Sequence, residues 1–297
     1  FGGAGGIQFS RSIDGGVTFT QLAASLSAGT INVQGCVVAV DTRSFGVGSG
    51  NVYVAWLESL TGATTGEIHF RRSTNAGVTF GPEIIAGPSF PLAETPTPNL
   101  CGRRAFFDTE AGFGNRGIRS APFPSMTVDP TTGDIHVVWH RAGLAGGSLS
   151  DIAHSVSTDN GVSFGPTERI NSVVNGDQFF PAIAANLDGT LTVMYYSTQN
   201  SGTRRLIDVY KVTALAGQLF DAPVRVTDVS FDRAQTNPNF DPVVATCYMG
   251  DYNGITSPAP GLGSSEFYLT WGDNRLPIPP GLPAAGLPDP DVRLERD

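Results

Sequence analysis

A tyrosine beside an aspartate, Asp251-Tyr252, is the pair in this chain best suited to covalent chemistry, because a neighbouring carboxylate can act as the base that makes a phenol nucleophilic. Asp177, Asp273, Arg275 and Arg119 are candidates for ligand binding: carboxylates that accept hydrogen bonds and guanidiniums that hold an anionic group. The competing reading of these residues is structural, and it is the favoured one. Asp251 would then satisfy backbone amides, Tyr252 would pack, and Asp273 would pair with Arg275 on a turn.

Metal chemistry has less to work with. Asp41, Asp129 and Asp188 recur in equivalent turns and could offer oxygens to Ca²⁺, but each is explained as well by capping its own turn. His69, His136, His140 and His154 have no zinc-ligand spacing. No metal and no cofactor are therefore expected, and no phosphate-binding glycine loop or Ser-His-Asp order is present. Cys36, Cys101 and Cys247 are too few and too dispersed for a disulfide framework, and an odd count leaves at least one unpaired.

The formal charge is −9, with a single lysine, Lys211, among the 18 basic residues. That balance argues against nucleic acid, which rewards a clustered basic face. No apolar run reaches membrane-spanning length. The 37 glycines, 21 prolines and 15% charged residues, without helical periodicity, describe many short strands joined by turns.

The elements that must position these side chains are visible as a repeat. The octapeptide Ser12-Ile13-Asp14-Gly15-Gly16-Val17-Thr18-Phe19 returns as Ser73-Thr74-Asn75-Ala76-Gly77-Val78-Thr79-Phe80 and as Ser157-Thr158-Asp159-Asn160-Gly161-Val162-Ser163-Phe164. A decayed copy spans 213–220, with Leu215 where the acid should be. An apolar strand ending in an aromatic precedes the last three copies, closing at Trp56, Trp139 and Tyr195, and the interval to the octapeptide is 17, 18 and 18 residues. A fourth such strand ends at Trp271. Each repeat is thus one supersecondary unit.

Each full unit reads as a four-stranded antiparallel meander: 36–40, 52–56, 67–72 and 78–85 in the second; 125–128, 135–139, 152–157 and 162–170 in the third. Such a sheet cannot bury both faces alone, and stacking copies around an axis solves that. The expected fold is all-β, a β-propeller of about four to six blades in a single domain over 1–297. The units are a partial blade at 1–30, blades at about 31–90, 120–172 and 178–228, and a last blade at 243–297. The chain opens on a third strand, 7–12, and closes on another, 292–296, which favours a segment of a larger ring. Long connections at 87–122, 227–242 and 277–290 interrupt the repeat, the last a proline-rich excursion expected to pack along a surface.

The octapeptide matches the Asp box, Ser/Thr-x-Asp-x-Gly-x-Thr/Ser-Trp/Phe, and through it the chain resembles the sialidase superfamily of Asp-box (BNR repeat) propellers. The segments Asp177-Gln178-Phe179-Phe180-Pro181-Ala182-Ile183-Ala184, Gly250-Asp251-Tyr252-Asn253-Gly254 and Trp271-Gly272-Asp273-Asn274-Arg275 add a resemblance to bacterial sialidase-like proteins. The resemblance implies that the boxes are structural. Ser12, Asp14, Gly16 and Phe19, with Ser73, Asn75, Gly77 and Phe80 and Ser157, Asp159, Gly161 and Phe164, would shape peripheral turns between third and fourth strands. Sialidases use three arginines on the substrate carboxylate, a Tyr nucleophile activated by a Glu, and an Asp acid. That set is not found, and Arg119-Ser120-Ala121-Pro122 is at best an echo of the family's Arg-Ile-Pro motif.

The expected function is that of a secreted, extracellular or periplasmic, propeller that binds a glycan or a protein at its channel mouth without catalysis. An exo-sialidase-type glycoside hydrolase and a structural subunit packed against neighbouring chains in an extracellular assembly are the alternatives.

Overall fold

The computed structural model describes residues 6–27, 32–59, 64–92, 105–107, 117–119, 121–144, 150–202, 204, 206–215, 217–232, 253–258, 266–277, 280 and 288–296. Among these residues all regular structure is strand. A first hairpin pairs β1 (Ser10–Arg11) with β2 (Thr20–Gln21). The second sheet runs in sequence order through β3 (Asn32–Val40), β4 (Val52–Ser59), β5 (Thr65–Ser73) and β6 (Ile84–Pro91). A small hairpin, β7 (Ala105–Phe107) and β8 (Gly117–Arg119), follows.

The third sheet comprises β9 (Ser125–Val128), β10 (Ile135–Arg141), β11 (Asp151–Ser157) and β12 (Glu168–Arg169). The fourth comprises β13 (Gln178–Ala185), β14 (Leu191–Ser197), β15 (Leu206–Ala214) and β16 (Val224–Arg225), with β17 (Phe231–Asp232) also pairing β15. The fifth has β18 (Gly254–Thr256), β19 (Tyr268–Pro277) and β20 (Pro288–Arg296). Every pairing is antiparallel, so each sheet is a meander of the propeller-blade kind.

Side-chain alternation along the second strands explains why the sheets stack. Successive residues of a strand point to opposite faces, so an apolar run feeds two cores at once. On β4, Val54 and Trp56 join Ile7 and Leu26 of the first hairpin, while Tyr53, Ala55 and Leu57 join Ile135, Val137 and Trp139 of β10. Val138 turns the other way, to Ile183, Val193 and Tyr195 of the fourth sheet. Met194 and Tyr196 in turn meet Phe267, Leu269 and Trp271 of the fifth unit. Four cores between five sheet units result, and the second strand of each full sheet is shared by two of them.

The octapeptides fold as self-contained turns. In the third unit Ser157 Oγ donates to Asp159 Oδ1 (2.8 Å) and accepts from Gly161 N–H (2.9 Å), while Ser163 N–H donates to Asp159 Oδ1 (2.9 Å). Ser73 and Asn75 repeat the pattern with Gly77 and Thr79, and Ser12 and Asp14 with Gly16 and Thr18. The fourth and fifth box positions lie in the left-handed region, with φ of 60° at Asn160 and 78° at Gly161. The last box residue then packs on the preceding unit. Phe80 meets Phe9 with ring centroids 4.9 Å apart, Phe164 meets Phe70 at 4.9 Å, and Phe220 meets His154 at 5.4 Å. Phe19, in the first copy, is 67% exposed.

The fourth strands start later than the sequence reading placed them. After the box the chain makes one bond back to the third strand, from Gly81 N–H to Arg72 O and from Gly165 N–H to Val156 O, both 2.9 Å. Pro82 and Pro166 come next, offer no donor, and postpone the ladder to Ile84 and Glu168. The 277–290 excursion is also shorter than expected, because Pro277 pairs Pro288 and β20 takes up the end of the segment. β20 is an edge strand, where prolines at the end of a ladder cost no interior bond. Likewise β6 extends to Pro91, and the β7–β8 hairpin occupies part of the 87–122 connection.

Candidate functional site

The N-terminal ends of the first strands converge on a cavity of about 370 Å³. Gly35, Cys36 and Val37 of β3 line it, as do Phe123, Pro124 and Ser125 leading into β9. Phe180, Pro181 and Ala182 of β13, and Asn253 just before β18, complete it. Because strands alternate in direction, the Asp-box turns lie at the opposite end of the sheets.

Two of these first strands are bulged where they meet the cavity. The register of β3 on β4 slips between Gln34 and Val37, and that of β13 on β14 between Phe179 and Ala182. Such bulges re-aim backbone and side chains, and they gather at barrel rims and beside binding sites. Gly35 sits in the first with φ 61°, and a Cβ there would come within 2.2 Å of Phe123 Cδ1. Only glycine suits that position without displacing the Phe123 ring.

Phe180 occupies the second bulge with φ 51°, a conformation that costs a non-glycine residue roughly 1–3 kcal/mol. Its surroundings hold it there. Asn253 Nδ2 donates to Phe180 O at 2.8 Å, Phe180 N–H reaches toward His140 Nδ1 at 3.5 Å, and its ring packs edge-on against Tyr196 and His140. Burial pushes His140 down to about 3, so its ring stays neutral and Nδ1 can accept. Asn253 Oδ1 is buried without a hydrogen-bond partner. An amide oxygen in that state beside a cavity is an acceptor available to a ligand.

The residues singled out in the sequence distribute unevenly around this cavity. Asp251 and Tyr252 lie outside the described residues; Asn253, the next in sequence, is on the lining. Asp177 is buried just ahead of β13, donating its N–H to Thr198 Oγ1 (2.8 Å), with its carboxylate 3.7 Å from Arg204 Nη1. Asp273 and Arg275 do come together, with Nε to Oδ2 at 2.9 Å and Arg275 N–H to Oδ1 at 2.9 Å, and Arg275 also bonds Asp228. The two carboxylates occupy the guanidinium, and Trp271 Nε1 donates to Asp273 at 3.3 Å. Arg119 ends β8, with its side chain outside the described residues. Asp177, Asp273 and Arg275 are absent from the cavity lining.

The turn carboxylates considered for Ca²⁺ are each engaged by their own turn. Asp41 accepts from Arg43 Nε and Nη2 (3.0 and 2.6 Å), Asp129 from Thr131 N–H and Oγ1 (both 2.7 Å), and Asp188 from Thr190 N–H (2.9 Å). Burial opposes ionisation of Asp41, but Arg43 outweighs it and holds the carboxyl below its ordinary value. Cys36 is an exposed free thiol, and Cys101 and Cys247 lie outside the described residues. A different group could hold a metal: Glu58, His69 and Glu83, whose ligand atoms lie within 4.8 Å of one another. Burial, with Glu83 nearby, lifts the Glu58 carboxyl above its ordinary value even though His69 acts to lower it.

The cavity was only partly foreseeable. The first strands are legible from the repeat, but Gly35, Phe123 and Phe180 read as ordinary strand or loop residues in sequence. The signal for a bulge was weak: a glycine inside the first strand, and Phe-Phe-Pro breaking alternation in β13.

No protein-family model matches the sequence, and no curated protein matches it. Solved structures do match. The α-L-arabinanase of Penicillium chrysogenum complexed with arabinobiose superposes with a TM-score of 0.50 at 11% identity, over 98% of this chain and 85% of that one. A GH93 α-L-arabinofuranosidase of Fusarium graminearum with arabinobiose gives 0.45 at 13% identity, over 89% of this chain and 62% of that one. The Trypanosoma rangeli sialidase with sialic acid gives 0.44 at 13%, over 90% and 38%. This chain therefore spans less than two thirds of the length of the last two. The likeness to the arabinanase is one of fold: this chain is an all-β propeller of the architecture that glycoside hydrolases use.

Proposed function

We propose that the chain is a secreted, sialidase-like Asp-box propeller, one domain over 1–297, that binds a glycan at the first-strand cavity and does not hydrolyse it. The observation that carries this reading is the combination at the cavity of two β-bulges, the Phe123 side chain and the unpartnered Asn253 Oδ1. Apolar walls with a few fixed polar groups are what a small-molecule site requires, and a cavity of this size suits one or two sugar rings. Ser125, although its Oγ accepts from Ile183 N–H at 3.2 Å, keeps a hydroxyl proton to donate.

Titration of the whole chain with arabino-oligosaccharides and with sialyllactose, followed by calorimetry, tests the proposal. One of the two should bind, and Asn253→Ala should weaken it at least tenfold. The hydrolase reading keeps one point in its favour: Asp251 and Tyr252 immediately precede a cavity-lining residue. Turnover of an aryl glycoside that disappears in both Tyr252→Phe and Asp251→Asn would replace the binding reading with that one.

A further inference from the structure

We infer that Glu58, His69 and Glu83 form a zinc-binding site on the face of the second sheet that looks toward the first hairpin, independent of the glycan cavity. The ladder between β4 and β5 sets Glu58 opposite Glu67, Trp56 opposite His69 and Val54 opposite Arg71. Trp56 and Val54 belong to the core shared with Ile7 and Leu26, so His69 and its carboxylates stand on that same inter-sheet face. Trp56 stacks against the His69 ring at 5.9 Å and walls it from water.

Within this group, His69 Nδ1 is 2.5 Å from Glu83 Oε1 and 3.7 Å from Glu58 Oε2. Tetrahedral zinc with bonds of 2.0–2.2 Å sets its ligand atoms about 3.3 Å apart. The two observed separations straddle that value, so an ion would lengthen one and shorten the other. The outer partners fit as well. A metal-bound imidazole donates its other N–H to a carboxylate, and His69 Nε2 lies 3.2 Å from Glu67 Oε2. Arg71 Nη2 stands 3.8 Å from Glu83 Oε2, the oxygen the metal would leave free.

Without a metal the group is poorly satisfied. Glu58 Oε2 is buried and makes no hydrogen bond, although the side chain is only 12% exposed. Three carboxylates surround one imidazole and one guanidinium, an excess of negative charge that a divalent cation would cancel with the imidazole neutral. The imidazole nitrogen favours a first-row ion such as Zn²⁺ over Ca²⁺ and Mg²⁺, which take oxygen ligands. Water would complete the coordination.

The test is titration of Zn²⁺ into chelator-treated whole chain, read by competition with a chromophoric chelator and by thermal melting. Expected are one ion per chain, a raised Tm, and affinity lowered at least 100-fold in Glu58→Gln and His69→Gln. Glu67→Gln, which changes an outer partner only, should cost about 10–100-fold. Co²⁺ substitution gives a second readout, visible bands that vanish in Glu58→Gln. Absence of stoichiometric binding, or binding unchanged in a folded Glu58→Gln, overturns the proposal and leaves His69 as a hydrogen-bonded bridge between its glutamates.

Discussion

The two ends of the strands obey different rules. At the box end, three copies of one turn repeat the same hydrogen bonds between hydroxyl, acid and amide, and each satisfies itself before it touches a neighbour. At the cavity end the units differ: β3 and β13 bulge, β9 does not, and an amide oxygen is left without a partner. The repeated end carries architecture, and the irregular end carries the proposed ligand site, the division expected when function is grafted on a common fold.

Four substitutions probe that division. The largest effect should come from neither end but from the shared middle. Trp139→Ala empties a fully buried indole site against Phe90 and should cost about 3–5 kcal/mol in urea unfolding. If it costs less than about 1 kcal/mol, the stacked-core account fails.

Asp159→Ala comes next and should remove roughly 1–2 kcal/mol, the scale of losing a capping side chain. Its pH dependence is more telling. Burial works to raise the Asp159 carboxyl, but bonds from Ser163, Ser157 and Val162 win and bring it down to about 2 from 3.8. A depressed carboxylate stabilises the fold above its unfolded value and loses that contribution as pH falls from about 4 to about 2. Urea midpoints measured across that window should drop less steeply in the variant. Ligand binding, measured at neutral pH, should be unchanged, since the turn is at the far end.

Gly35→Ala reverses the pattern. The new methyl must displace Phe123, so glycan affinity should fall at least tenfold while the melting temperature moves only a few degrees. Equal losses at both ends would erase the contrast. The smallest effect belongs to Leu215→Asp, which restores the missing acceptor of the decayed box. Leu215 is 56% exposed, and a gain of about 0.5 kcal/mol is expected in thermal unfolding.

The same contrast explains what was legible in the sequence. The boxes and the Trp- or Tyr-ended strands repeat because every blade solves the same packing problem, and repetition makes them readable from one chain. The strand starts at Ile84 and Glu168 are not legible in the pattern of β-favouring residues, because Pro82 and Pro166 delay them through a missing N–H. The bulges at Gly35 and Phe180 depend on contacts with Phe123, His140 and Asn253, remote in sequence. The Glu58, His69 and Glu83 group escaped for a similar reason: its members lie on β4, on β5 and just before β6, and only the cross-strand register unites them. Asp273 and Arg275, two residues apart, were the pairing that sequence could give, and they do meet.

The second strand of each full sheet serves as a party wall, apolar on both sides, so the sheets should not open independently. No sheet can come away without stripping half the core of the next, so partial opening in the middle of the stack should be rare compared with opening of the whole. Amide protons along β4, β10 and β14 should then exchange with solvent together and last, whatever the rims are doing.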